Sequence, residues 1–293
     1  MKQAKIAGIG EILWDVLPGS EQLGGAPINF TYHVSALGAE ALAISTIGND
    51  NRGENALKEL QKRGVDISYI SVLEQFDTGY VTARVDGKGI ATYEFPDDVA
   101  WDHLAINPAA QQCAAELEAI CFGTLAQRSD SARLTIQRYL GTTSENTVKV
   151  CDLNLRQNFY NREIIETSLN ISTVLKLNDD ELTVISSLFL LNGAEYEQME
   201  SLRKHFDLDL VILTKGSNGS ILITKDDISR HQGIATEVVD TIGAGDSFTA
   251  AVVTGLLRNK TLDEINEKAN RLAAYVCGQP GAMPPVPQHY RFE

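Results

Sequence analysis

The chain has 293 residues, of which 43% are hydrophobic and 22% charged, as is usual for a globular protein with a substantial core. Its 25 basic and 39 acidic side chains give a formal net charge of −14. This charge argues against general binding to nucleic acid or an anionic membrane, since both require clustered lysine and arginine. It does not exclude an anionic ligand, because backbone N–H groups can bind phosphate without lysine.

The N-terminal segment is a poor signal peptide, because Glu11 and Asp15 interrupt its apolar stretch. No window approaches the roughly eighteen uncharged apolar residues needed to span a bilayer. Four cysteines lack CxxC spacing, and we interpret them as buried hydrophobic residues rather than metal ligands or disulfides. They are Cys113, Cys121, Cys151 and Cys277. Their pattern is typical of a reducing compartment, so we expect a cytoplasmic protein.

Short apolar strands alternate with helical patterns along most of the chain. The strands are predicted at KIAGIG (5–10), ALAISTIG (41–48), AICFG (119–123), VKVCDLN (148–154), TVLKLN (173–178) and LVILTKG (210–216). Helical patterns occupy 53–64, 129–140 and 178–189, with Ser129 as the predicted cap of the second and Asn178 or Asp179 of the third. The alternation predicts a mostly parallel sheet covered by helices on both faces. Ligands of such sheets bind beyond the carboxyl ends of the strands.

One region departs from this alternation. Residues 78–95 have two alternating strand patterns around the turn DGKG, which is a hairpin signal. Together with residues 13–25, they are expected to form a small β-sheet lid over the carboxyl edge of the main sheet. We therefore expect a single domain over 1–293, with a lid formed by insertions at about 12–24 and 77–98.

A glycine run, DTIGAGDSF (240–248), lies between a strand-like segment and a helical pattern that extends from about 244 to 257. Unpaired amides near 243–246 would point into one small space, where the helix dipole favours negative charge. Side chains larger than alanine would block a ligand. The run therefore predicts an anion site built from backbone. Other phosphate and catalytic motifs are absent: there is no GxxxxGK[ST], HExxH or GxSxG, and GIGEIL lacks the third glycine of a dinucleotide fingerprint.

Asp246 ends the glycine run and adds a negative charge beside the predicted anion site. In phosphoryl transfer the acceptor hydroxyl loses a proton, which a nearby carboxylate can accept. Alternatively, Asp246 caps or salt-bridges an ordinary helix start. The residues alone leave both interpretations open.

Two motifs at opposite ends of the chain carry a resemblance to a known family. DTIGAGDSFTAA (240–251) resembles the carboxyl-terminal signature of the ribokinase-like (PfkB) carbohydrate kinases. QLGGAPINFTYHVSALG (22–38) resembles their Gly-Gly-x-x-x-Asn sugar-binding segment, in a form similar to that of fructokinases. Weaker similarities follow in the family's order over essentially the whole chain. The resemblance implies a ribokinase-like three-layer α/β/α fold and ATP-dependent phosphoryl transfer to a sugar hydroxyl.

The resemblance also assigns roles at the acceptor side of the site. It makes Asp246 the catalytic base and places the γ-phosphate on the backbone of Gly243, Ala244 and Gly245. The residues that it implies for sugar binding are Asp15, Gly24, Gly25, Asn29, Asn154 and Arg156. Alternatives remain for three of these side chains: a lid salt-bridge partner for Asp15, a helix cap for Asn29 and a surface ion pair for Arg156.

On the nucleotide side, the family pattern implies contacts from five residues. They are Asn178, Thr214, Lys215, Gly216 and Thr241. The side chain of Lys215 is expected to face solvent, so the backbone around Gly216 is the preferred contact there. Glu181 would hold the Mg²⁺ shell through water, although Asn178 and Glu181 also fit a capping box and both roles could coexist. Asp240, with carbonyls near Ile242 and Ala282, would form a monovalent-cation site for K⁺, a property that varies among relatives.

The acceptor sugar is predicted from one departure within the family. Ala26 and Pro27 stand where ribokinase has a lysine-containing Gly-Gly-Lys-Gly-Ala-Asn segment, which favours fructose and a 6-phosphate product over ribose. Four lid aromatics are candidates for covering the sugar and equally for lid core: Tyr80, Tyr93, Phe95 and Trp101. The lid sheet also offers an edge for a homodimer.

Two other functions remain open. A 2-keto-3-deoxygluconate or related keto-acid kinase would use Arg156 on a carboxylate. A non-catalytic sugar sensor on the same scaffold would bind sugar and nucleotide without turnover. The intact Asp246 and Glu181 argue against the sensor, because a sensor has no need of a base.

Overall fold

The computed structural model describes residues 3–17, 19–85 and 91–292. The strands of this part of the chain are β1 (Lys5–Ile9), β2 (Leu13–Leu17), β3 (Ser20–Gly24), β4 (Glu40–Gly48), β5 (Ile70–Leu73), β6 (Gly79–Val85), β7 (Ala91–Glu94), β8 (Ala119–Phe122), β9 (Val148–Asp152), β10 (Val174–Asn178), β11 (Leu210–Thr214), β12 (Ser220–Ile223) and β13 (Ile228–His231). The α-helices are α1 (Ala26–Ala36), α2 (Asn51–Lys62), α3 (Pro108–Cys113), α4 (Asp130–Thr142), α5 (Arg162–Ile171), α6 (Asp179–Phe189), α7 (Glu195–His205), α8 (Ala244–Leu257) and α9 (Leu262–Cys277).

The central sheet has the strand order β13-β12-β11-β10-β9-β8-β1-β4-β5. Its strands from β11 to β5 are parallel, and β12 and β13 add an antiparallel edge. Helices α1, α8 and α9 pack on one face, and α4 to α7 pack on the other. The predicted mostly parallel sheet between two helical layers is confirmed, and each of the six predicted strands is present.

Strand alternation divides the core between the two faces of the sheet. Val150 and Val174 face α8 and α9, whereas Cys151 and Leu175 face the opposite layer. Because β9 and β10 pair in register, with Lys176 opposite Asp152, the same alternation sends these two charged side chains toward α8.

A second, four-stranded sheet has the order β3-β2-β6-β7. Its strands come from the two segments predicted to form the lid, and β6 and β7 are the antiparallel pair expected over 78–95. The predicted DGKG turn (86–89) lies outside the described residues.

At the base of this sheet, Arg128 forms a buried ion pair with Asp102 at 2.7 Å and donates to the carbonyl of Pro96 at 2.6 Å.

Two helix-cap predictions have different outcomes. Asn178 caps α6 by accepting from the Glu181 amide at 2.8 Å, as predicted. Ser129 precedes α4, but its hydroxyl donates to the carbonyl of Asp102 at 2.7 Å, and it makes no capping bond. Ser129 therefore occupies the predicted N-cap position, but the predicted side-chain capping bond is absent, because the hydroxyl is engaged with a tertiary carbonyl.

The cysteines are free thiols: Cys113, Cys121 and Cys151 are buried, and Cys277 is partly buried. Among the described residues, no helix combines the length and apolarity that a membrane crossing requires.

Candidate active site

The start of α8 presents unbonded backbone amides. In the described part of the chain, the amides of Gly243, Gly245 and Asp246 donate to no acceptor, and the Ala244 amide makes only a long bond of 3.4 Å to the carbonyl of Thr241. The first bond that closes the helix runs from the Ser247 amide to the carbonyl of Gly243 at 2.9 Å. Three donors at the positive end of a helix therefore remain available to an anion, as the glycine run predicts.

Both glycines of this turn have close neighbours, but only Gly243 also has a positive φ. Gly243 has a φ of 77°, and a Cβ atom there would lie 2.5 Å from the carbonyl oxygen of Ala282. A Cβ atom at Gly245 would lie 3.1 Å from Nζ of Lys176. The first glycine thus permits a left-handed turn against the chain near 282, and the second leaves room for a buried ammonium group.

Asp246 lies at the junction of α8 and α1. Its Oδ2 accepts a 2.8 Å hydrogen bond from Nδ2 of Asn29, 217 residues earlier in the chain. Burial and, secondarily, the nearby Asp152 carboxylate raise the pKa of Asp246 from 3.8 to about 7, against the stabilising effects of Asn29, Lys176 and Arg156. A carboxylate with this pKa can accept a proton at neutral pH.

The predicted sugar-binding glycines pack around acidic groups. A Cβ at Gly24 would lie 2.6 Å from Oδ2 of Asp15. Gly25, with a φ of 111°, caps α1 and lies against the carbonyl of Glu11. Burial raises the pKa of Asp15 to about 6, although the positive charge of Arg156 opposes this. The paired glycines therefore bring backbone and carboxylate to one surface.

Asn29 is not a helix cap, because α1 begins three residues earlier with Gly25 as its cap. Its side chain is 4% exposed, and Oδ1 is a buried oxygen without a hydrogen-bond partner in the described structure. Since its Nδ2 already donates to Asp246, the Oδ1 atom is the hydrogen-bonding atom of this side chain that is left without a partner in the described structure.

Glu11 is a buried acid that the motifs did not single out. Its Oε1 accepts from the Ala26 amide at 3.2 Å, and its Oε2 has no partner among the described residues. Burial raises the pKa of Glu11 to about 7, and the charge of Asp246 adds to this effect. Its position immediately after an apolar strand at the carboxyl edge of the sheet is the sequence signal that could have identified it.

The loop after β9 carries Asn154 and Arg156. Asn154 has a φ of 42°, a conformation that asparagine tolerates better than most residues. Arg156 is exposed, and within residues 3–17, 19–85 and 91–292 its side chain makes no hydrogen bond or ion pair, although its backbone carbonyl accepts from the Phe159 amide at 3.1 Å. The surface ion pair considered for Arg156 is thus not present, and its guanidinium is free for an anionic group.

A buried ion pair lies beneath the α8 turn. Nζ of Lys176 is 3.0 Å from Oδ1 of Asp152, and Thr249 of α8 donates to Oδ2 of Asp152 at 3.0 Å. Although burial opposes it, the carboxylates of Asp152 and Glu181 raise the pKa of Lys176, so the ammonium stays charged. The sequence signal for this group was a lysine inside the otherwise apolar strand VLKLN.

The predicted nucleotide residues lie at the carboxyl ends of adjacent strands. Asn178 and Thr214 are register partners at the ends of β10 and β11. Lys215 is paired with Glu195 at 3.0 Å rather than free. Gly216, with a φ of 52°, begins the turn that follows, and Thr241 precedes α8.

The predicted magnesium residue, Glu181, is held by two backbone amides. Glu181 accepts from the amides of Leu155 at 2.9 Å and Asn178 at 2.8 Å, which completes the capping box. Each carboxylate oxygen keeps a lone pair for a water of a Mg²⁺ shell, so the residue fits an outer-shell role.

The predicted monovalent-cation residues surround the turn before α8. Asp240 accepts from the amides of Ile242 at 3.0 Å and Gly281 at 3.1 Å, and the carbonyl of Ala282 contacts Nε2 of His33 at 2.9 Å. These bonds bring the segment near 282 to the anion site, and the cation role of its oxygens stays a prediction.

The four lid aromatics have different environments. Trp101 is 2% exposed and packs under the Arg128 guanidinium, so it belongs to the core. Phe95 packs edge-to-face on Phe159, and Arg52 covers the ring of Tyr80. Tyr93 is 51% exposed.

Comparison with known proteins agrees with this geometry. The family model described as pfkB family carbohydrate kinase matches residues 15–289. An uncharacterized sugar kinase from Pyrococcus horikoshii has a crystal structure with a TM-score of 0.82 and 27% identity, covering 96% of this chain and 94% of that one. A fructokinase from Salmonella typhimurium is 26% identical over 302 residues, covering 97% of this chain and 96% of its own. The fold also matches a fructokinase structure from Xylella fastidiosa, with a TM-score of 0.84 at 17% identity over 97% and 95% of the two chains. The chain belongs to the pfkB family of carbohydrate kinases.

Proposed function

We propose that this kinase is an ATP-dependent fructokinase, which transfers the γ-phosphoryl group of ATP to the 6-hydroxyl of fructose and releases ADP. The observation that carries the proposal is the juxtaposition of three unbonded amides at the start of α8 with Asp246, which in turn contacts Asn29 of the sugar segment. The use of ATP is supported by the Pyrococcus horikoshii relative, whose structure is also described in complex with ATP. Several relatives at 24–28% identity are named fructokinases.

The proposed chemistry divides between Asp246 and the α8 amides. As the sugar oxygen forms its bond to the γ-phosphorus, the bond from that phosphorus to the ADP oxygen breaks, and the hydroxyl proton moves to the Asp246 carboxylate. The amides of Gly243 and Gly245 bind oxygens of the transferring group. Loss of one such donor costs about 2.7–4 kcal/mol of transition-state stabilisation in other enzymes.

Mg²⁺ would arrive with the nucleotide and neutralise charge on its phosphates. Glu181, fixed by two backbone amides, would hold the water shell of that ion. Asn29 would orient the acceptor, since its amide nitrogen binds Asp246 while its oxygen remains free for a sugar hydroxyl.

The charges around the acceptor space favour a neutral sugar. Glu11, Asp15 and Asp246 surround it, and Arg156 is the facing cation whose charge acts on all three. A sugar acid or sugar phosphate would meet this acidic group, whereas hydroxyls can donate to it. The unpaired Arg156 nevertheless gives a specific reason to test the keto-acid kinase alternative.

The test is a substrate panel read as kcat/KM with ATP and Mg²⁺, because specificity is a ratio of these values. We expect fructose to exceed ribose and 2-keto-3-deoxygluconate by at least tenfold, with the phosphate at the 6-position by NMR. A preference for the keto acid would refute the fructose assignment. Calorimetric binding of sugar and nucleotide without any product would instead identify a sensor.

A further inference from the structure

The buried ion pair beneath α8 has no evident structural purpose. Lys176 and Asp152 have side-chain exposures of 8% and 6%. Buried ion pairs contribute little net stability, since desolvation offsets their attraction, and an apolar pair of similar volume is often at least as stable. Two apolar residues on the neighbouring strands would therefore satisfy the fold at this point.

The pair is tied directly to the turn that carries the unbonded amides. The Oγ1 atom of Thr249, one helical turn after Gly245, lies 3.0 Å from Oδ2 of Asp152 and 3.0 Å from the carbonyl oxygen of Gly245, so its single hydroxyl hydrogen is shared between these two acceptors. On the other side of the turn, Nζ of Lys176 lies close to Gly245. A Cβ atom added at Gly245 would be 3.1 Å from this nitrogen. The ammonium thus flanks the anion site, and its partner carboxylate holds it there.

The same pair acts electrostatically on Asp246 with opposite signs. Asp152 repels the ionised form of Asp246, and Lys176 stabilises it. Groups that face Asp246 from the surrounding elements are Glu11 after β1, Asn29 of α1, Cys121 of β8, Asp152 of β9, Arg156 of the following loop and Lys176 of β10. Of the two cations, Arg156 is exposed and Lys176 is buried, so Lys176 is the one that water screens least.

We propose that Lys176, held by Asp152 and Thr249, is a positioning residue for phosphoryl transfer: its ammonium supports the anion site from behind Gly245 and keeps Asp246 ionised. The proposal rests on the proposed roles of Asp246 and the α8 amides. It assigns a function to a lysine whose own side-chain hydrogen bond, in the described part of the chain, goes to Asp152 and not to the acceptor space.

The first experiment compares pH profiles of kcat/KM for Lys176→Met, Asp152→Asn and the wild type, with the sugar that the wild type phosphorylates best. Removal of the positive charge should move the acid limb to higher pH, and removal of the negative charge should move it to lower pH. Lys176→Met should also lower the high-pH plateau by roughly tenfold or more. Shifts in the same direction, or no shifts, would overturn the proposal.

A double variant separates function from folding. Lys176→Met with Asp152→Asn leaves no unpaired buried charge, so we expect its unfolding midpoint in urea to recover toward that of the wild type, even if the single Lys176→Met variant does not fold. The plateau rate should stay low, because the ammonium is still missing. Recovery of the rate together with stability would make the pair merely structural. The matched control is Arg128→Met, which breaks the ion pair between Arg128 and Asp102. The two side chains of this pair are each 7% exposed, and neither belongs to α8. This variant should lose stability without moving the acid limb of the pH profile.

A binding measurement keeps the inference independent of sugar choice. By calorimetry, the wild type should prefer a non-hydrolysable ATP analogue over ADP by a larger ratio than Lys176→Met does, because the missing charge lies beside the γ-phosphate position. An unchanged ratio would refute the inference. If the wild type turned over no sugar, the proposed function would fail, while this ratio would still test Lys176.

Discussion

Asp246→Asn should inactivate the enzyme and at the same time stabilise its fold. The substitution is nearly isosteric. In the wild type, Nδ2 of Asn29 donates to Oδ2 of Asp246 at 2.8 Å, and the side-chain oxygen of the new asparagine can accept the same bond. It removes the proton acceptor, and loss of a general base typically lowers kcat by about 10²–10⁴-fold. It also removes a carboxylate that the folded state holds in an unfavourable environment.

The magnitude of the stabilisation follows from the pKa of Asp246, which burial and then Asp152 raise from 3.8 to about 7. A carboxyl group whose pKa is raised by folding contributes stability below its unfolded pKa and loses it as the pH rises through the folded pKa. At about 1.4 kcal/mol for each tenfold change in proton affinity, the wild type carries a penalty of roughly 4 kcal/mol at pH 8.0 and roughly 2 kcal/mol at pH 5.5. Asp246→Asn removes that penalty.

The assay is urea unfolding at these two pH values for the wild type and Asp246→Asn, with kcat measured on the same preparations. We expect the gain in unfolding free energy at pH 8.0 to be about twice the gain at pH 5.5. Equal gains at both pH values would show that repulsion and burial do not govern this carboxylate. Retention of the wild-type kcat would refute its role as the base.

Two further predictions concern the base of the small sheet and the α8 turn. Arg128→Met leaves the buried carboxylate of Asp102 without its partner and should lower the unfolding free energy by about 3–5 kcal/mol, measured in urea. Gly243→Ala places a methyl group 2.5 Å from the carbonyl of Ala282 at a φ of 77°, so we expect at least a tenfold loss of kcat/KM. Its control is Gly141→Ala in α4, where an added Cβ atom meets nothing within 4 Å. This variant should keep full activity and gain about 0.5–1 kcal/mol in unfolding free energy. Similar effects of the two substitutions on kcat/KM would contradict the steric argument.

Local patterns in the sequence predicted the elements of the fold with good accuracy. The helix expected from about 244 to 257 is α8, with those same bounds, and the paired strands over 78–95 are β6 and β7. These predictions depend on periodicity and turn residues within one segment. Ser129 is at the predicted cap position, but its side-chain capping bond is absent because the hydroxyl is oriented by a bond to the distant carbonyl of Asp102, which only the tertiary structure provides.

The electrostatics of the site could not be predicted in the same way, because they depend on contacts between distant segments. The glycine run predicted the unbonded amides, but the bond from Asn29 to Asp246 joins residues 217 positions apart, and Lys176 meets Asp152 only through the register of β9 with β10. Nothing local to DTIGAGDSF reveals that Asp246 sits near other carboxyl groups. A motif therefore identified the residue that we propose as the proton acceptor, whereas the packing of four other segments determines how strongly it holds a proton. It follows that relatives with an identical glycine run can differ in the pH dependence of their rates when they differ at the positions of Lys176 and Asp152.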